Sequence, residues 1–439
     1  MQRSGVTSGP LHFARRKIPM PMSNEFKARL LPDLAAIAAH FGTPFHIYDE
    51  AGILNTGNVL KNAFAAIDGF MEYFAVKALP NPSVMEIMRT MDFGFDCSSI
   101  PELVLSRQVG ARGEEIIFTS NNTTNEDFKA AFADGGCILN LDDISLIPRL
   151  PQTPELICFR YNPGPRRTGN DIIGNPVEAK YGVSHDQILE AYRKMRRNGS
   201  TRFGLHTMLA SNELNYAYIV ETARMLLDLV RWISVELDIR FEFINIGGGL
   251  GIPYRPGDVP LDLPAMSSEI IALFQAFEHQ NGYMPKLFME SGRYMTGPHG
   301  VLVTRAINRK DIYRNYIGVD ACMSALMRPG MYGAYHHIDV LGKDMASLPT
   351  EKVDVVGSLC ENIDKFAVQR ELPQINAGDI LIVQDTGAHG HAMGFNYNAK
   401  LRPKELLLRK NGTVELIRRE ETMADYFATL NFDKNVFAN

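Results

Sequence analysis

The fold is decided by the stretch MEYFAVKALPNP, residues 71–82, where a regular alternation of strands and helices begins. Its apolar, β-compatible residues end at two prolines, which predicts a strand over 71–77. Lys77 then stands where this strand ends. In an α/β barrel that end carries active-site residues, and an amine in a mostly apolar pocket has a lowered pKa and can act as a nucleophile. For this stretch alone, a lysine that extends from a strand end into water is the alternative.

Seven further strand-like runs follow the first at a regular spacing. The eight runs are 71–77, 93–97, 115–120, 137–142, 155–161, 202–207, 241–246 and 286–290. Most are separated by amphipathic segments of helical length, at 82–91, 101–109, 125–134, 184–197, 212–238 and 264–280. Eight such units predict a (β/α)8 barrel over residues 50–294, with an open doubly wound sheet as the alternative. The irregular insertion at 162–183 is expected on the active face.

The texture changes after residue 293, where strand runs follow one another without long helices. These runs are 300–307, 315–320, 335–341, 352–358, 379–384, 404–409 and 413–418. They predict an all-β domain, a sandwich or barrel, over residues 295–439. The early strand at 44–48 has no partner in the barrel pattern, so residues 26–49 are assigned to the same, discontinuous domain. Residues 1–25 are polar with interspersed prolines and are expected to be a flexible arm.

Composition narrows the function classes. The chain has 439 residues, 45% of them hydrophobic and 22% charged, which is typical of a soluble protein of two domains. A net charge of −5 gives no support for nucleic acid or an anionic membrane as a partner. Five scattered cysteines without a C-x-x-C pair argue against a disulfide framework or a structural metal, and for a reducing compartment. Without an apolar run of membrane-spanning length or a signal peptide, we expect a cytoplasmic protein.

Two groups of residues follow the last two predicted barrel strands. Gly247-Gly248-Gly249 comes directly after the seventh strand, where barrels commonly bind phosphate through backbone N–H groups. Glu290 and Arg293 follow the eighth strand, which neighbours the first in a closed barrel. A carboxylate placed there would face Lys77 and could keep a pyridine nitrogen protonated. The alternative for this pair is an internal Glu290–Arg293 salt bridge.

Three further segments of the β domain carry reactive or binding side chains. Cys360-Glu361 combines a thiol and a carboxylate, either of which can donate a proton, although a lone cysteine is more often buried and inert. Arg328 and Tyr332 lie four residues apart around a turn, and an arginine fork suits a ligand carboxylate. Tyr397 lies in a glycine-rich loop that presents its phenol.

Taken together, Lys77, the glycines and Glu290 fit one ligand that carries a carbonyl, a phosphate and a basic ring nitrogen. Pyridoxal 5′-phosphate has all three groups.

The chain resembles the fold-type III pyridoxal-phosphate-dependent decarboxylases, and within them the diaminopimelate decarboxylases. The resemblance rests on seven segments in the family's order: YFAVKALPNP, FDCSSIPEL, FINIGGGLGIPY, FMESGRY, MRPGMYGAYHH, GSLCENIDKFA and DTGAHGHAMGFNYN. They span roughly residues 44–409. The family's fold, a (β/α)8 barrel plus a β domain, agrees with the pattern above.

The resemblance also implies a role for each matching position. Lys77 matches the lysine that carries the cofactor, and Glu290 the carboxylate paired with its ring nitrogen. The other cofactor and substrate positions are Ser211, Gly247, Gly248, Gly249, Arg293, Arg328, Tyr332 and Tyr397. Cys360, as the proton donor, and Glu361, as a contact to the substrate's amino group, match residues supplied across the interface of a homodimer.

Several positions depart from the family pattern. In register, Met208 takes the place of a histidine that stacks on the cofactor ring, and His206 lies two residues earlier, so the stacking residue stays open. His389 replaces a usual tyrosine. The resemblance implies decarboxylation of meso-2,6-diaminopimelate to L-lysine, the last step of lysine biosynthesis. Ornithine, lysine, arginine or carboxynorspermidine as the substrate, or a racemase of the same fold, are the alternatives.

Overall fold

The computed structural model describes residues 22–170, 172–345 and 347–432, and its central feature is a barrel of eight parallel strands. After β1 (Phe45–Asp49), which joins a second sheet, the barrel strands are β2 (Met71–Ala75), β3 (Gly94–Cys97), β4 (Gly113–Phe118), β5 (Cys137–Leu141), β6 (Leu156–Asn162), β8 (Arg202–His206), β9 (Phe241–Asn245) and β10 (Lys286–Met289). The two-residue strand β7 (Val183–Ser184) pairs with β6. β10 pairs with β2, and β6 pairs back to β5, so the sheet is closed as predicted.

Helices cover the outside of the barrel and link its strands. In chain order the helices are α1 (Asn24–Leu30), α2 (Leu34–Phe41), α3 (Glu50–Ala63), α4 (Pro82–Arg89), α5 (Ile100–Gln108), α6 (Asn125–Phe132), α7 (His185–Asn198), α8 (Tyr216–Leu237), α9 (Leu263–Asn281), α10 (Arg293–Thr296), α11 (Arg328–Tyr332) and α12 (Met423–Phe427). Between β5 and β6 the link is a 3₁₀ helix, Ile144–Arg149. Local sequence sets the helix starts: Asn81 caps α4 by accepting from Ser83 N–H, and Pro82 occupies the first helical position.

Side chains fill one end of the barrel interior. Successive strand residues point to opposite faces, so on β2 Tyr73 points inward while Phe74 packs against the helices. Tyr73 meets Phe288, and Phe288 stacks on Phe243, with ring centroids 5.0 and 4.3 Å apart. This apolar layer closes the barrel beneath the carboxyl ends of the strands, where the polar residues lie.

The second sheet forms the β domain. Its strands are β1, β11 (Gly300–Asp311), β12 (Asn315–Val319), β13 (Ile338–Val340), β14 (Thr350–Val356), β15 (Lys365–Pro373), β16 (Ile380–Val383), β17 (Lys404–Leu408) and β18 (Val414–Arg418). β1 lies between β11, to which it is antiparallel, and β17, to which it is parallel. The early strand therefore lies inside this sheet and not in the barrel.

The start of the described chain is more ordered than the sequence indicated. Of the arm predicted over residues 1–25, residues 1–21 lie outside the described residues, but Met22 is buried and α1 begins at Asn24. α1 and α2 are separate helices, because Pro32 lies between them. No helix in the described ranges has the length and apolar character to cross a membrane.

The β domain also holds the loop that follows Lys77. Glu405 on β17 accepts from Asn81 Nδ2 at 3.2 Å and from the Tyr48 hydroxyl at 2.6 Å. Arg418 on β18 donates to the carbonyl of Pro80 at 3.0 Å. These contacts anchor the exit of β2 from outside the barrel.

Candidate active site

A cavity of about 340 Å³ opens at the carboxyl ends of the barrel strands. Lys77, Asp96, His206, Glu290 and Arg293 are among the residues that line it. They come from the ends of four strands, β2, β3, β8 and β10, or from the turns directly after them, which is how a barrel gathers residues distant in sequence. Two of these side chains are carboxylates, so the Lys77 amine meets ionisable groups as well as the apolar surface expected from the sequence.

Lys77 lies two residues beyond the end of the observed strand, although the predicted strand includes it. β2 ends at Ala75, and the lysine is in the 3₁₀ turn Val76–Ala78. Its Nζ is 2.6 Å from Asp96 Oδ2, and half of the side chain is exposed to the cavity. Burial would lower the pKa of Lys77, but Asp96 and Glu290 outweigh burial and raise it. The lowered pKa expected from the sequence is therefore wrong, because two carboxylates stabilise the ammonium form.

Glu290 is held on both carboxylate oxygens. Its Oε2 is 3.2 Å from His206 Nε2, and its Oε1 accepts from Asn245 Nδ2 at 2.7 Å. Burial would raise the pKa of Glu290, but His206 and Lys77 outweigh it and lower the pKa to about 2. The carboxylate is thus ionised at neutral pH. Within the described chain it makes no salt bridge to Arg293, which excludes the alternative interpretation of the pair.

The three glycines form a loop that no other residue could build. Gly247 and Gly249 have φ angles of +71° and +96°, which residues with a Cβ rarely adopt. A Cβ on Gly248 would lie 2.2 Å from the carbonyl oxygen of Glu290. Gly249 lines the cavity, so backbone rather than side chains meets a ligand there. This cradle, the Lys77 amine and the ionised Glu290 suit the phosphate, carbonyl and ring nitrogen of pyridoxal 5′-phosphate.

Tyr254 connects two of the predicted substrate residues. Arg293 donates to its hydroxyl oxygen at 2.7 Å, and Arg328 donates to the same oxygen at 2.9 Å. Arg293 also reaches the Ser211 hydroxyl at 3.5 Å. No pattern in the sequence pointed directly to Tyr254, although this residue ends the segment FINIGGGLGIPY.

Gly247, Gly248 and Arg328 are buried beside residues that line this cavity, whereas four other predicted site residues are exposed and do not line it. Tyr332 and Tyr397 have 63% and 50% of their surface exposed, and Cys360 and Glu361 are also exposed. Cys360 and Glu361 line a separate depression beside β12 and β14. The Cys360 N–H donates to Asn398 Oδ1 at 2.6 Å, so the segment around Tyr397 adjoins this depression. One copy of the chain does not bring these residues to Lys77.

The residues that depart from the family pattern do line the cavity. His206 lies 2.9 Å from Asn140 Nδ2 through Nδ1, besides its contact with Glu290. Met208 accepts a hydrogen bond from Gly248 N–H on its Sδ at 3.2 Å. His389, at φ +56°, donates its backbone N–H to the carbonyl of Ala78, and burial lowers the pKa of its ring. Which residue stacks on the cofactor ring stays a prediction.

The insertion after β6 contributes one wall of the cavity. Ile173 and Tyr181 line it, and Arg160 lies 4.3 Å from the centroid of the Tyr181 ring. Asn170 ties the insertion to Glu213, at 2.9 Å, and to the N–H of Ser211, at 3.1 Å. The predicted insertion therefore does reach the active face.

In the described residues no cluster of His, Cys, Asp or Glu is arranged to hold a metal ion.

Comparison with known proteins identifies the family of this chain. The profile of the family described as "Pyridoxal-dependent decarboxylase, pyridoxal binding domain" matches residues 55–297. The chain is 45% identical to Protein TabA of Pseudomonas amygdali pv. tabaci, over 93% of this chain and 96% of that protein. It is 36% identical to a diaminopimelate decarboxylase of Methanothermobacter thermautotrophicus, over 90% and 92% of the two chains. The crystal structure of diaminopimelate decarboxylase from M. jannaschii in complex with L-lysine superposes with a TM-score of 0.82 at 29% identity, over 90% and 93% of the chains.

Proposed function

The chain belongs to the pyridoxal-dependent decarboxylase family, and on that premise we propose that it releases CO₂ from the D-centre of meso-2,6-diaminopimelate and forms L-lysine. The enzyme is a pyridoxal-phosphate-dependent amino-acid decarboxylase of the diaminopimelate decarboxylase type. The choice of substrate rests on two guanidinium groups, those of Arg293 and Arg328, which both donate to the hydroxyl oxygen of Tyr254. Two guanidinium groups suit a substrate that keeps a carboxylate at its distal end, whereas a diamine-forming substrate presents a cation there and needs an acidic partner.

Each residue of the cavity has a role that its chemistry suits. Bound pyridoxal 5′-phosphate supplies an electron sink for the negative charge left at the substrate's α-carbon. Lys77 would hold the cofactor through its amine, and the glycine loop would receive the phosphate. Glu290, kept ionised by His206, would hold the proton on the ring nitrogen. Asp96 keeps the Lys77 amine directed into the cavity.

The protonation step requires residues that one chain does not bring to the cavity. We assign Cys360 as the donor of the proton to the α-carbon and Glu361 as the contact to the substrate's amino group, both from a second copy of the chain. Tyr332 and Tyr397 would reach the substrate or cofactor from the same side. Their exposure in the single chain supports this arrangement, since an obligate dimer would cover them.

The proposal is tested by CO₂ release from a panel of amino acids. We expect the purified holoenzyme to release CO₂ from meso-diaminopimelate and not from lysine, ornithine, arginine or carboxynorspermidine. Release from only one of the latter substrates would contradict the assignment of a distal carboxylate. Interconversion of the stereocentres without CO₂ release would instead identify a racemase. The panel is broad because the name of the relative with 45% identity states no substrate.

A further inference from the structure

Arg293 and Arg328 meet at a single atom, the hydroxyl oxygen of Tyr254. The two donor–acceptor distances are 2.7 and 2.9 Å. Both arginines also lie near the face of the Tyr254 ring, at 5.8 and 4.8 Å from its centroid. A guanidinium group only donates hydrogen bonds, so two of them can converge only on a shared acceptor. Tyr254 supplies that acceptor with a rigid, nearly buried side chain.

The protein does not neutralise this pair of positive charges. Within the described residues, neither arginine makes a salt bridge to a carboxylate. The other partner of Arg328 is His336 Nε2, at 3.0 Å, and His336 Nδ1 lies 2.8 Å from the carbonyl oxygen of Gln384. A carbonyl accepts only from a protonated nitrogen, so Nδ1 carries the proton and Nε2 accepts from Arg328. The ring is therefore neutral, and burial and Arg328 lower its pKa to about 3.

The nearby carboxyl group of Asp385 does not compensate either. Neither of its buried oxygens has a hydrogen-bond partner among the described residues. Burial raises the pKa of Asp385 well above the ordinary value, although Lys27 and Arg328 act in the opposite direction. The raised pKa favours the neutral acid. Two guanidinium groups whose neighbours are a phenol, a neutral imidazole and a carboxyl group with a raised pKa leave a positive charge that an anionic ligand would balance.

The hydrogen bonds of Tyr254 leave one donor over. Its oxygen has two lone pairs, and the two arginines use both. Those two contacts are the only hydrogen bonds of this hydroxyl group in the described chain. The hydroxyl proton therefore has no acceptor there. The phenol and the two guanidinium groups therefore form one cluster of donors, with the geometry fixed at its centre.

We propose that Tyr254 is a positioning residue that fixes Arg293 and Arg328 as a single receptor for the distal carboxylate of the substrate. Without the shared acceptor, repulsion between the two like charges would separate the guanidinium groups. The dependence of binding on a distal carboxylate then rests on the Tyr254 hydroxyl as much as on the arginines. This inference rests on the proposed function, because it presupposes a substrate with a second carboxylate.

The test compares two ligands that differ by one carboxylate, L-lysine and 1,5-diaminopentane. Their dissociation constants are measured by titration calorimetry on wild-type holoenzyme and on the Tyr254→Phe variant. Wild type should bind L-lysine more tightly than the diamine. Tyr254→Phe should weaken L-lysine binding about tenfold or more, the loss typical of hydrogen bonds that align charged groups, and should leave diamine binding within about twofold. In turnover, KM for the substrate should rise while kcat is kept.

Tyr192→Phe is the matched control. Its hydroxyl also makes a buried hydrogen bond, to the carbonyl of Gly204, but it lies between α7 and β8 and not beside the cavity. This variant should lose thermal stability without changing the preference for L-lysine. If Tyr254→Phe weakens both ligands equally, or keeps the wild-type preference, the positioning role is wrong and the proposed function stands. If wild type itself binds both ligands alike, the proposed distal carboxylate is wrong and the inference falls with it.

Discussion

The predicted site residues fall into two groups, one inside a cavity and one exposed on the surface. The barrel group, defined by Lys77, Glu290 and Arg293 with the glycine loop, lies in one cavity, where Lys77 is paired with Asp96 and Glu290 accepts from Asn245. The β-domain group, defined by Tyr332, Cys360, Glu361 and Tyr397, lies exposed on the surface of the same chain. A closed parallel barrel brings strand ends together by topology alone. The loops of a separate β sheet have no such constraint, so their place in a site depends on how chains assemble.

The surface around the β-domain group suggests what covers it. Met331, Tyr332, Ile363 and Tyr397 are apolar or aromatic, and between 41% and 63% of each is exposed. Exposed apolar residues that cluster beside reactive ones are typical of protein interfaces. The difference between the two groups therefore predicts that the barrel group is complete within one chain, while the β-domain group acts only on a neighbouring chain.

Removing the lysine of the barrel group should have the largest effect. Lys77→Ala should lower decarboxylation by at least about 10⁴-fold, because no other amine is held beside Asp96 and Glu290 in the described cavity. Borohydride reduction followed by peptide mass spectrometry should place the cofactor on Lys77 in wild type and on no peptide of the variant. Lys61→Ala, which removes an exposed ion pair with Asp92, should behave as wild type. Cofactor bound covalently to the Lys77→Ala protein would contradict the anchor assignment.

Mixing two inactive variants tests whether the regions belong to different chains. Lys77→Ala and Cys360→Ala subunits should each be nearly inactive alone. In a mixed dimer one site receives an intact lysine from one chain and an intact cysteine from the other. Random mixing should then restore about a quarter of wild-type activity, since half of the dimers carry one intact site of two. Confirmed mixed dimers without activity would mean that each chain uses its own Cys360, and the comparison would fail.

Sequence patterns predicted the barrel almost completely. All eight strands fall within two residues of their predicted ends, because buried parallel strands are apolar runs that end at turns. The β domain was less regular. β15 (Lys365–Pro373) was missed because polar residues divide its apolar ones into two short groups and Gln369 interrupts it at φ +46°. A strand that is held mainly by backbone hydrogen bonds to a neighbouring strand leaves a weaker pattern in the sequence.

The barrel group was predictable as a set of residues but not as a set of contacts. The strand count placed Lys77 near Glu290, yet it did not reveal that Asp96 on the adjacent β3 would raise the pKa of the lysine. Asp96 ends a predicted strand, so its position was a usable signal. Tyr254 had no such signal, because its role arises where two arginines from separate segments converge.

A pair of matched carboxylate substitutions should separate the chemical role of one region from the binding role of the other. Glu290→Gln keeps the shape of the side chain but removes the charge that would hold a proton on the ring nitrogen. It should lower kcat about 10²-fold or more with a small change in KM. Glu361→Gln should instead raise KM about tenfold and largely keep kcat, because it weakens a charge-assisted contact to the substrate's amino group. Steady-state kinetics on both variants checks this, and the reverse pattern would exchange the two roles.

The smallest expected effect is a loss of stability of the β domain at acidic pH. His391 is buried there, accepts from Arg402 at 2.8 Å, and lies 3.0 Å from the Pro403 carbonyl through Nε2. Burial lowers its pKa from 6.5 to about 3, with Glu405 opposing and Arg402 assisting. The folded state therefore favours the neutral ring. This stability is complete above pH 6.5 and is lost as the pH falls toward the folded pKa, by up to about 1.4 kcal/mol for each pH unit.

The His391→Gln variant measures that contribution. Glutamine cannot gain the proton, so its free energy of unfolding should depend less on pH between 6.5 and 5 than that of wild type, even if it is less stable at pH 7. Denaturant unfolding is followed by far-ultraviolet circular dichroism for the whole chain and by the fluorescence of Trp232, the single tryptophan of the sequence, for the barrel. His40→Gln, on an exposed position of α2, is the control and should keep the wild-type pH dependence. An unchanged pH dependence in His391→Gln would show that the β domain does not depend on a neutral His391, and would remove this difference between the two regions.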